Sequence, residues 1–253
     1  MSPTHPKVRV VILAAGKGTR MKSDGPKALT LVGGRPILSH LLDAVEASGL
    51  DPRPTVVVGY GAEQIRAVMG DRCQYATQTE QLGTGHAAAS AKPSVGDADH
   101  VVILYGDHPF ISAGTLKRLV ARHVERKNTL TLMTTKVPSF KGAYAGFERW
   151  GRILRGENRY ITGIREYKDA TDEERRITEL NPALFCFDAK WLWENAAALR
   201  AENAQKEYYL TDLVAAAIAQ GKPLSSIDIA PEEVIGINTP EERDIAEAMY
   251  AAR

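Results

Sequence analysis

Two features of the sequence predict an α/β fold: a mainly parallel sheet with helices on both faces. Short apolar, β-branched runs alternate with segments of helical period through the first half of the chain. Two of those runs stop at loops of small and polar residues, at Gly16 and at Gly106-Asp107. Ligands of such sheets bind beyond the carboxyl ends of the strands, so these loops mark candidate positions on one rim.

The elements follow in order. Residues 8–15 form an apolar run broken only by Arg9, as expected of a strand buried on both faces. Residues 36–48 read as a helix, with Leu38, Leu41, Leu42 and Val45 on one side and Gly49 after it. A strand at 55–58, a helix at 62–69, a short extended piece at 74–78 and an Ala-rich helix at 85–92 come next. The strand at 101–105 ends at Gly106, and a helix at 115–125 leads to a strand at 129–135. The second half is more mixed. Residues 137–159 predict strands with loops, and 171–176 a charged turn or short helix. Residues 208–219 predict an amphipathic helix, 224–229 a strand, and 234–237 a short strand reaching Asn238. A closing helix over 240–251 carries Thr239 as N-cap, Pro240 at its first position and Glu242 completing a capping box. With no repeat or linker, the 253 residues read as a single domain.

Composition excludes several function classes. Hydrophobic residues make up 44% and charged residues 25%, and the formal net charge is +1, so a nucleic-acid partner is not expected. A bound anion must be met by local cations. Cys73 and Cys186 have no CxxC or zinc spacing and read as small buried residues, so a cytoplasmic setting is the default. No window approaches a membrane-spanning length, and the polar start, with Pro3 and Pro6, lacks the apolar stretch of a signal peptide.

The loop Leu13-Ala14-Ala15-Gly16-Lys17-Gly18-Thr19-Arg20-Met21 follows the first strand. Small residues let backbone N–H groups approach a ligand, and Lys17, Arg20 and Lys27 bring positive charge, which together suit a triphosphate. Two familiar phosphate motifs fail. Gly18 stands where a Walker loop needs Ser or Thr, and Met21 stands where a dinucleotide fingerprint needs its third glycine.

These residues, with Pro26-Lys27, resemble the signature of sugar-nucleotide pyrophosphorylases. The stretches Gln78-Thr79-Glu80-Gln81-Leu82-Gly83-Thr84-Gly85-His86-Ala87 and Leu104-Tyr105-Gly106-Asp107-His108-Pro109 narrow the resemblance. They resemble the uridyltransferase domain of the bacterial bifunctional N-acetylglucosamine-1-phosphate uridyltransferase/glucosamine-1-phosphate acetyltransferases. Gly151-Arg152-Ile153, Glu166, Glu207-Tyr208-Tyr209-Leu210-Thr211-Asp212 and Gly236-Ile237-Asn238 extend it along nearly the whole chain.

The resemblance implies a Rossmann-like fold of the nucleotide-diphospho-sugar transferase type. A nucleotide-binding part would cover about residues 1–112, and a smaller, β-rich sugar-binding part about 113–253. It implies Mg²⁺ as cofactor, UTP and a sugar 1-phosphate as substrates, and a UDP-sugar, UDP-N-acetylglucosamine first, as product. By the same resemblance Asp107 and Asn238 are the metal ligands and Arg20, Lys27 and Asp107 the catalytic set. Leu13, Ala14, Ala15, Gly16, Lys17, Gly18, Lys27, Gln78, Gly83 and Thr84 hold the nucleotide. Tyr105, Gly106, Gly151, Glu166 and Asn181 line the sugar pocket. Mg²⁺ takes hard oxygen ligands, often only one or two from protein, which suits an Asp and an Asn. A phosphate monoester is mostly dianionic at neutral pH, its second pKa being about 6, so no general base is nominated. His86 and His108 read as supporting residues. Gln78, free to flip, would not by itself separate uracil from cytosine.

The resemblance does not extend to the acetyltransferase β-helix, which this sequence lacks; with it the usual trimerising element is missing, and oligomeric state stays open. Asn181-Pro182-Ala183 replaces the family's Asn-Thr-Gly, and Arg149-Trp150-Gly151-Arg152 its Gly-Tyr-Gly-Arg. Both departures fall in the sugar half, where acceptor choice would be set. Transfer of another nucleotide or to another sugar 1-phosphate, or UDP-sugar sensing without turnover, are the competing expectations. All of the catalytic readings require Asp107 and Asn238 to come within reach of one cation.

Overall fold

The computed structural model describes residues 6–21 and 25–252. The remainder of the polar N-terminal stretch, residues 1–5, lies outside them.

The strands are β1 (Val8–Ala14), β2 (Leu31–Val32), β3 (Arg35–Pro36), β4 (Thr55–Val58), β5 (Gln74–Thr77), β6 (His100–Tyr105), β7 (Leu130–Lys136), β8 (Arg152–Arg155), β9 (Ile161–Arg165), β10 (Glu179–Leu180), β11 (Phe185–Asp188) and β12 (Leu224–Asp228). The helices are α1 (Ile37–Ser48), α2 (Ala62–Met69), α3 (Thr84–Ser90), α4 (Lys92–Val95), α5 (Ala113–Glu125), α6 (Asp172–Arg175), α7 (Ala189–Ala196), α8 (Asp212–Ala219) and α9 (Pro240–Ala251). One mixed sheet runs β5-β4-β1-β6-β11-β7-β10-β8-β9, with β12 also paired to β7 and the small β2–β3 hairpin apart. The β5-β4-β1-β6 half is parallel, as the alternation of strands and helices predicts. In the other half β11 lies antiparallel to both β6 and β7, and β8, β9 and β10 form antiparallel pairs.

β1 shows why this sheet carries two cores. Val8, Val10 and Ile12 pack on one face with Leu38 and Leu41 of α1 and Leu116 and Leu119 of α5. Val11 packs on the other with Ala87 and Ala88 of α3, Leu192 of α7 and Val214 of α8. The side-chain period of two sorts each strand residue to one face.

Chain order creates the crevice. From β1 the chain steps outward through β4 to β5, then returns across the sheet to β6 on the opposite side of β1. The order reverses at β1–β6, the switch point at which open α/β sheets bind ligands. Register aligns the strand ends there: Leu13 pairs with Tyr105, and Gly106 N–H donates to Leu13 O at 2.9 Å.

Four sequence expectations need correction. The helix expected from residue 208 starts at Asp212, because Tyr208 is taken up by the 82–85 loop. Tyr208 N–H donates to Leu82 O at 2.8 Å, and its carbonyl accepts from Gly85 N–H at 2.7 Å. Residues 234–237 form no strand: their apolar side chains are buried as expected, but the segment meets its neighbour through Ile237 N–H to Asp107 O at 3.0 Å rather than through a ladder. Residues 142–149, expected as strand and loop, form a 3-10 helix seated by the buried Phe147. The Ala-rich helix is shorter and is followed by α4, with Pro93 in α4's first turn.

Candidate active site

The loop after β1 stays open and extended before a 3-10 turn at Thr19–Met21. A Cβ added at Gly16 would meet nothing within 4 Å, so the backbone is bare toward the crevice. Gly18 serves a different purpose: it sits at φ +61°, and a Cβ there would lie 2.7 Å from Lys27 Cβ. Gly18 therefore lets the Lys27 stem lie against the loop. Lys17 is exposed on the same loop.

A first cavity, about 260 Å³, opens beside this loop, with Leu13, Ala14, Ala15 and Gly16 on one side and Gln78, Gly83 and Thr84 on the other. Lys27 and Asp107 lie at its end. Lys17 and Gly18 do not border it. Gly83 is required by its own geometry: φ is +111°, and a Cβ would come within 2.7 Å of Tyr208 O.

Lys27, Asp107 and Asn238, far apart in sequence, meet at one point. Lys27 Nζ donates to Asp107 Oδ2 at 2.7 Å and to Asn238 Oδ1 at 2.9 Å, so a single cation already joins the two oxygen donors. Arg20 Nη2 donates to the same Asn238 oxygen at 3.1 Å. Burial alone would push the Asp107 carboxyl up; the Lys27 ammonium and His108 more than offset this and hold it down at about 2. Asp107 Oδ1 is buried without a hydrogen-bond partner, with His108 Nε2 3.4 Å away. Burial lowers the His108 pKa despite the adjacent carboxylate. Asn238 is set by the start of α9, where the Glu242 carboxylate accepts from Asn238 N–H at 2.5 Å and Thr239 N–H at 3.0 Å. The reciprocal Thr239 bond to Glu242 N–H closes the capping box.

The donor set suits a small hard cation: one carboxylate with an unsatisfied buried oxygen and one amide oxygen. No group of three or more His, Cys, Asp or Glu gathers at metal-binding distance among the described residues, so a self-sufficient protein cage is absent there.

A second cavity, about 330 Å³, lies on the other side of Asp107. Trp150, Gly151, Glu166, Asn181 and Tyr209 contribute to its wall, with Arg149 at its edge. Thr84, Tyr105, Asp107 and Glu207 border both cavities. Gly106, grouped with the sugar residues by sequence, borders the first cavity and not the second, because its backbone is tied to Leu13 of β1. Glu166 Oε1 accepts from Thr211 Oγ1 at 3.0 Å. Burial raises the Glu166 pKa; Thr211 opposes this, and the carboxylates of Asp212, Asp169 and Glu207 add to it.

Sequence reasoning assigned no role to several residues that build this wall. Glu207 and Thr211 belong to the Glu207–Asp212 stretch, whose sequence alone pointed to no role for either. Arg152, next to Gly151 of the cavity lining, is fully buried. Its guanidinium donates to the carbonyls of Trp150, Glu148 (2.7 Å) and Arg175 (2.9 Å) and lies over the rings of Phe140 and Tyr167. A buried arginine bonded to backbone carbonyls leaves no pattern in sequence, because its partners carry no side-chain signature.

The departing segment Asn181-Pro182-Ala183 is a break between β10 and β11. Asn181 N–H donates to Gly151 O at 2.9 Å, and Asn181 Oδ1 accepts from Ala183 N–H at 3.0 Å. Ala183 adopts φ +58°, a left-handed conformation suited to the glycine found at this position in the resembled family.

Comparison with known proteins shows the family and the fold. The chain is 39% identical over 249 residues to the bifunctional protein GlmU of Brevibacillus brevis, and 43% identical over 229 residues to that of Carboxydothermus hydrogenoformans. These alignments cover 98% and 90% of this chain but 52% and 49% of those proteins, so the chain spans about half the length of the curated relatives it matches. A crystal structure from Bacillus anthracis, described as a glucose-1-phosphate thymidylyltransferase in complex with a sucrose, superposes with a TM-score of 0.74. It covers 96% of this chain and 94% of its own at 18% identity, a likeness of fold. The family model of the MobA-like NTP transferase domain matches residues 10–217, and this chain belongs to that nucleotidyltransferase family.

Proposed function

We propose that this chain transfers a uridylyl group from UTP to a sugar 1-phosphate, N-acetylglucosamine 1-phosphate first, releasing pyrophosphate and forming a UDP-sugar. The observation that carries this reading is the pair of cavities meeting at Asp107, one bordered by the small-residue loop after β1 and the other by Glu166, Asn181 and Trp150. Half-length similarity to GlmU proteins supports the choice of substrates.

The nucleotide occupies the first cavity, its phosphates toward Gly16, Arg20 and Lys27. The sugar occupies the second, where Glu166, Asn181 and the Gly151 backbone read its hydroxyl and amide groups. The acceptor phosphate, a dianion at neutral pH, attacks the α-phosphorus in line with the departing pyrophosphate, and no protein base is needed. The principal barrier is repulsion between two polyanions. Arg20 offers a forked guanidinium and Lys27 a point charge against it. Asp107 and Asn238 would hold Mg²⁺, which when bound supplies charge neutralisation on the phosphates. The N-terminal part then acts as the nucleotide side of a single domain and the remainder as the sugar side, with Asn238 crossing between them.

One observation favours a different acceptor: Arg149, a cation, lines the second cavity together with Pro182 and Ala183. A panel decides. UTP, Mg²⁺ and the protein are assayed for pyrophosphate against N-acetylglucosamine 1-phosphate, glucose 1-phosphate and an acidic sugar 1-phosphate. The reading expects turnover with the first and at least tenfold less with the others. Turnover chiefly with the acidic sugar moves the acceptor. UDP-sugar binding without pyrophosphate from any pair overturns transfer in favour of sensing.

A further inference from the structure

We propose that His86 is a positioning residue that fixes which end of the Gln78 amide faces the first cavity, and so sets the pyrimidine accepted there. This rests on the nucleotide site assigned above. A glutamine amide presents a donor or an acceptor with nearly the same shape, so its neighbours decide its orientation. Gln78 is buried, and its amide nitrogen lies 3.1 Å from Gly83 O and 3.0 Å from His86 Nδ1. A carbonyl only accepts, so the group facing Gly83 is the NH₂. The same nitrogen then donates to His86 Nδ1, which places the imidazole proton on Nε2. Both amide hydrogens are thus engaged, and Oε1 is left as the free polar atom of a side chain that borders the cavity.

The reversed amide fails twice. It would set Oε1 against the Gly83 oxygen and would require His86 Nδ1 to donate. Gly83 cannot turn away to relieve this. Its carbonyl accepts Ala87 N–H at 3.0 Å in the first turn of α3, and its φ of +111° and the Tyr208 backbone leave it no side chain. An outward acceptor pairs with the protonated N3 of uracil or thymine. It faces the N3 lone pair of cytosine with repulsion, and a site built for a hydrogen bond rejects a ligand that cannot make it.

The test measures pyrophosphate release with UTP, dTTP, CTP and 3-methyluridine triphosphate, which lacks the N3 proton. Wild type is expected to favour UTP over both CTP and the methylated analogue by about a hundredfold in kcat/KM, with dTTP on the favoured side. His86→Leu, which removes the acceptor, should lower the UTP/CTP ratio by about tenfold or more, mostly through KM for UTP. KM for the sugar 1-phosphate should stay within about twofold. His86→Asn returns an acceptor oxygen near Nδ1 and should restore the ratio. A structural role for His86 would depress UTP and CTP turnover together. An unchanged UTP/CTP ratio in His86→Leu overturns the proposal, as does wild-type use of the methylated analogue on a par with UTP. The analogue needs no variant, so this arm holds even where His86→Leu does not fold. Absence of pyrophosphate with every triphosphate strikes at uridylyl transfer instead. The proposal is then read from UDP against CDP affinity in the same proteins by calorimetry.

Discussion

Lys27 carries the most charge-dense contact of the site, and its surroundings explain why it cannot be replaced by an apolar residue of similar length. Its ammonium bridges a buried carboxylate and an amide oxygen, and its stem runs where only Gly18 leaves space. Lys27→Met removes the cation and leaves Asp107 buried with no ion-pair partner but His108. Loss of one electrostatic donor at a phosphoryl centre costs about 100- to 1000-fold in turnover, and that drop is expected in kcat with saturating Mg²⁺. Turnover within threefold of wild type in a steady-state pyrophosphate assay would remove Lys27 from the chemistry. These residues were readable individually. Asp107 closes an apolar strand, and Lys27 follows Pro26 in a quoted motif. Their meeting was not, since 80 positions separate Lys27 from Asp107 and 211 separate it from Asn238.

Elements differ in how openly the sequence announced them. α2 and α9 have the boundaries read from the sequence, α2 between Gly61 and Gly70 and α9 starting at the Thr239–Glu242 capping box. α8 and the 234–237 segment deviate because distant backbone claims hydrogen bonds of Tyr208 and Ile237, while the 3-10 helix at Gly142–Arg149 forms around the buried Phe147. Arg152 shows the energetic side of this. Its guanidinium caps the carbonyl ends of the 3-10 helix and of α6, two short elements that could not hold together alone. Burial lowers its pKa, so the bonded carbonyls are what keep the charge tolerable inside. Arg152→Met keeps volume and strands those carbonyls, at a cost of about 3 kcal/mol. Urea unfolding should show that loss. The sugar 1-phosphate KM should rise about tenfold while KM for UTP holds, since Arg152 bonds the carbonyl of Trp150, which lines the second cavity, and none of its partners lines the first. An unchanged sugar KM would separate Arg152 from the cavity wall.

At the scale of the whole molecule, the sheet separates chemistry from a pH-sensitive point at its other end. The site lies beyond the carboxyl end of β6, while His100 opens the same strand and packs edge-on against His123 of α5, with centroids 4.8 Å apart. Asn128 Nδ2 donates to Thr131 Oγ1 at 2.8 Å, the same hydroxyl lies 3.0 Å from His123 Nδ1, and His123 Nε2 is buried without a partner. Burial, and after it the neighbouring His100, lower the His123 pKa to about 4 against the opposing pull of Asp188. The unfolded state binds the proton first, near pH 6.5, so stability is full above that pH and falls as pH drops toward 4. The loss reaches about 3 kcal/mol if His123 acts alone. Urea midpoints at pH 7 and pH 5 should differ in wild type and converge in His123→Gln. Equal pH dependence in both proteins would assign the acid sensitivity elsewhere.

Strand period, helix caps and the small-residue loop determined the α/β class and marked the rim loops at Gly16 and at Gly106-Asp107, because each is written in side chains a few positions apart. The order of strands across the sheet was decided only in three dimensions. So were the insertion of β11 between β6 and β7, the convergence of Lys27, Asp107 and Asn238, and the locking of Gln78 by Gly83 and His86. Long-range pairing and backbone-to-side-chain bonds depend on which groups the packed core brings together. A backbone carbonyl has the same chemistry at every position until the fold gives it a neighbour.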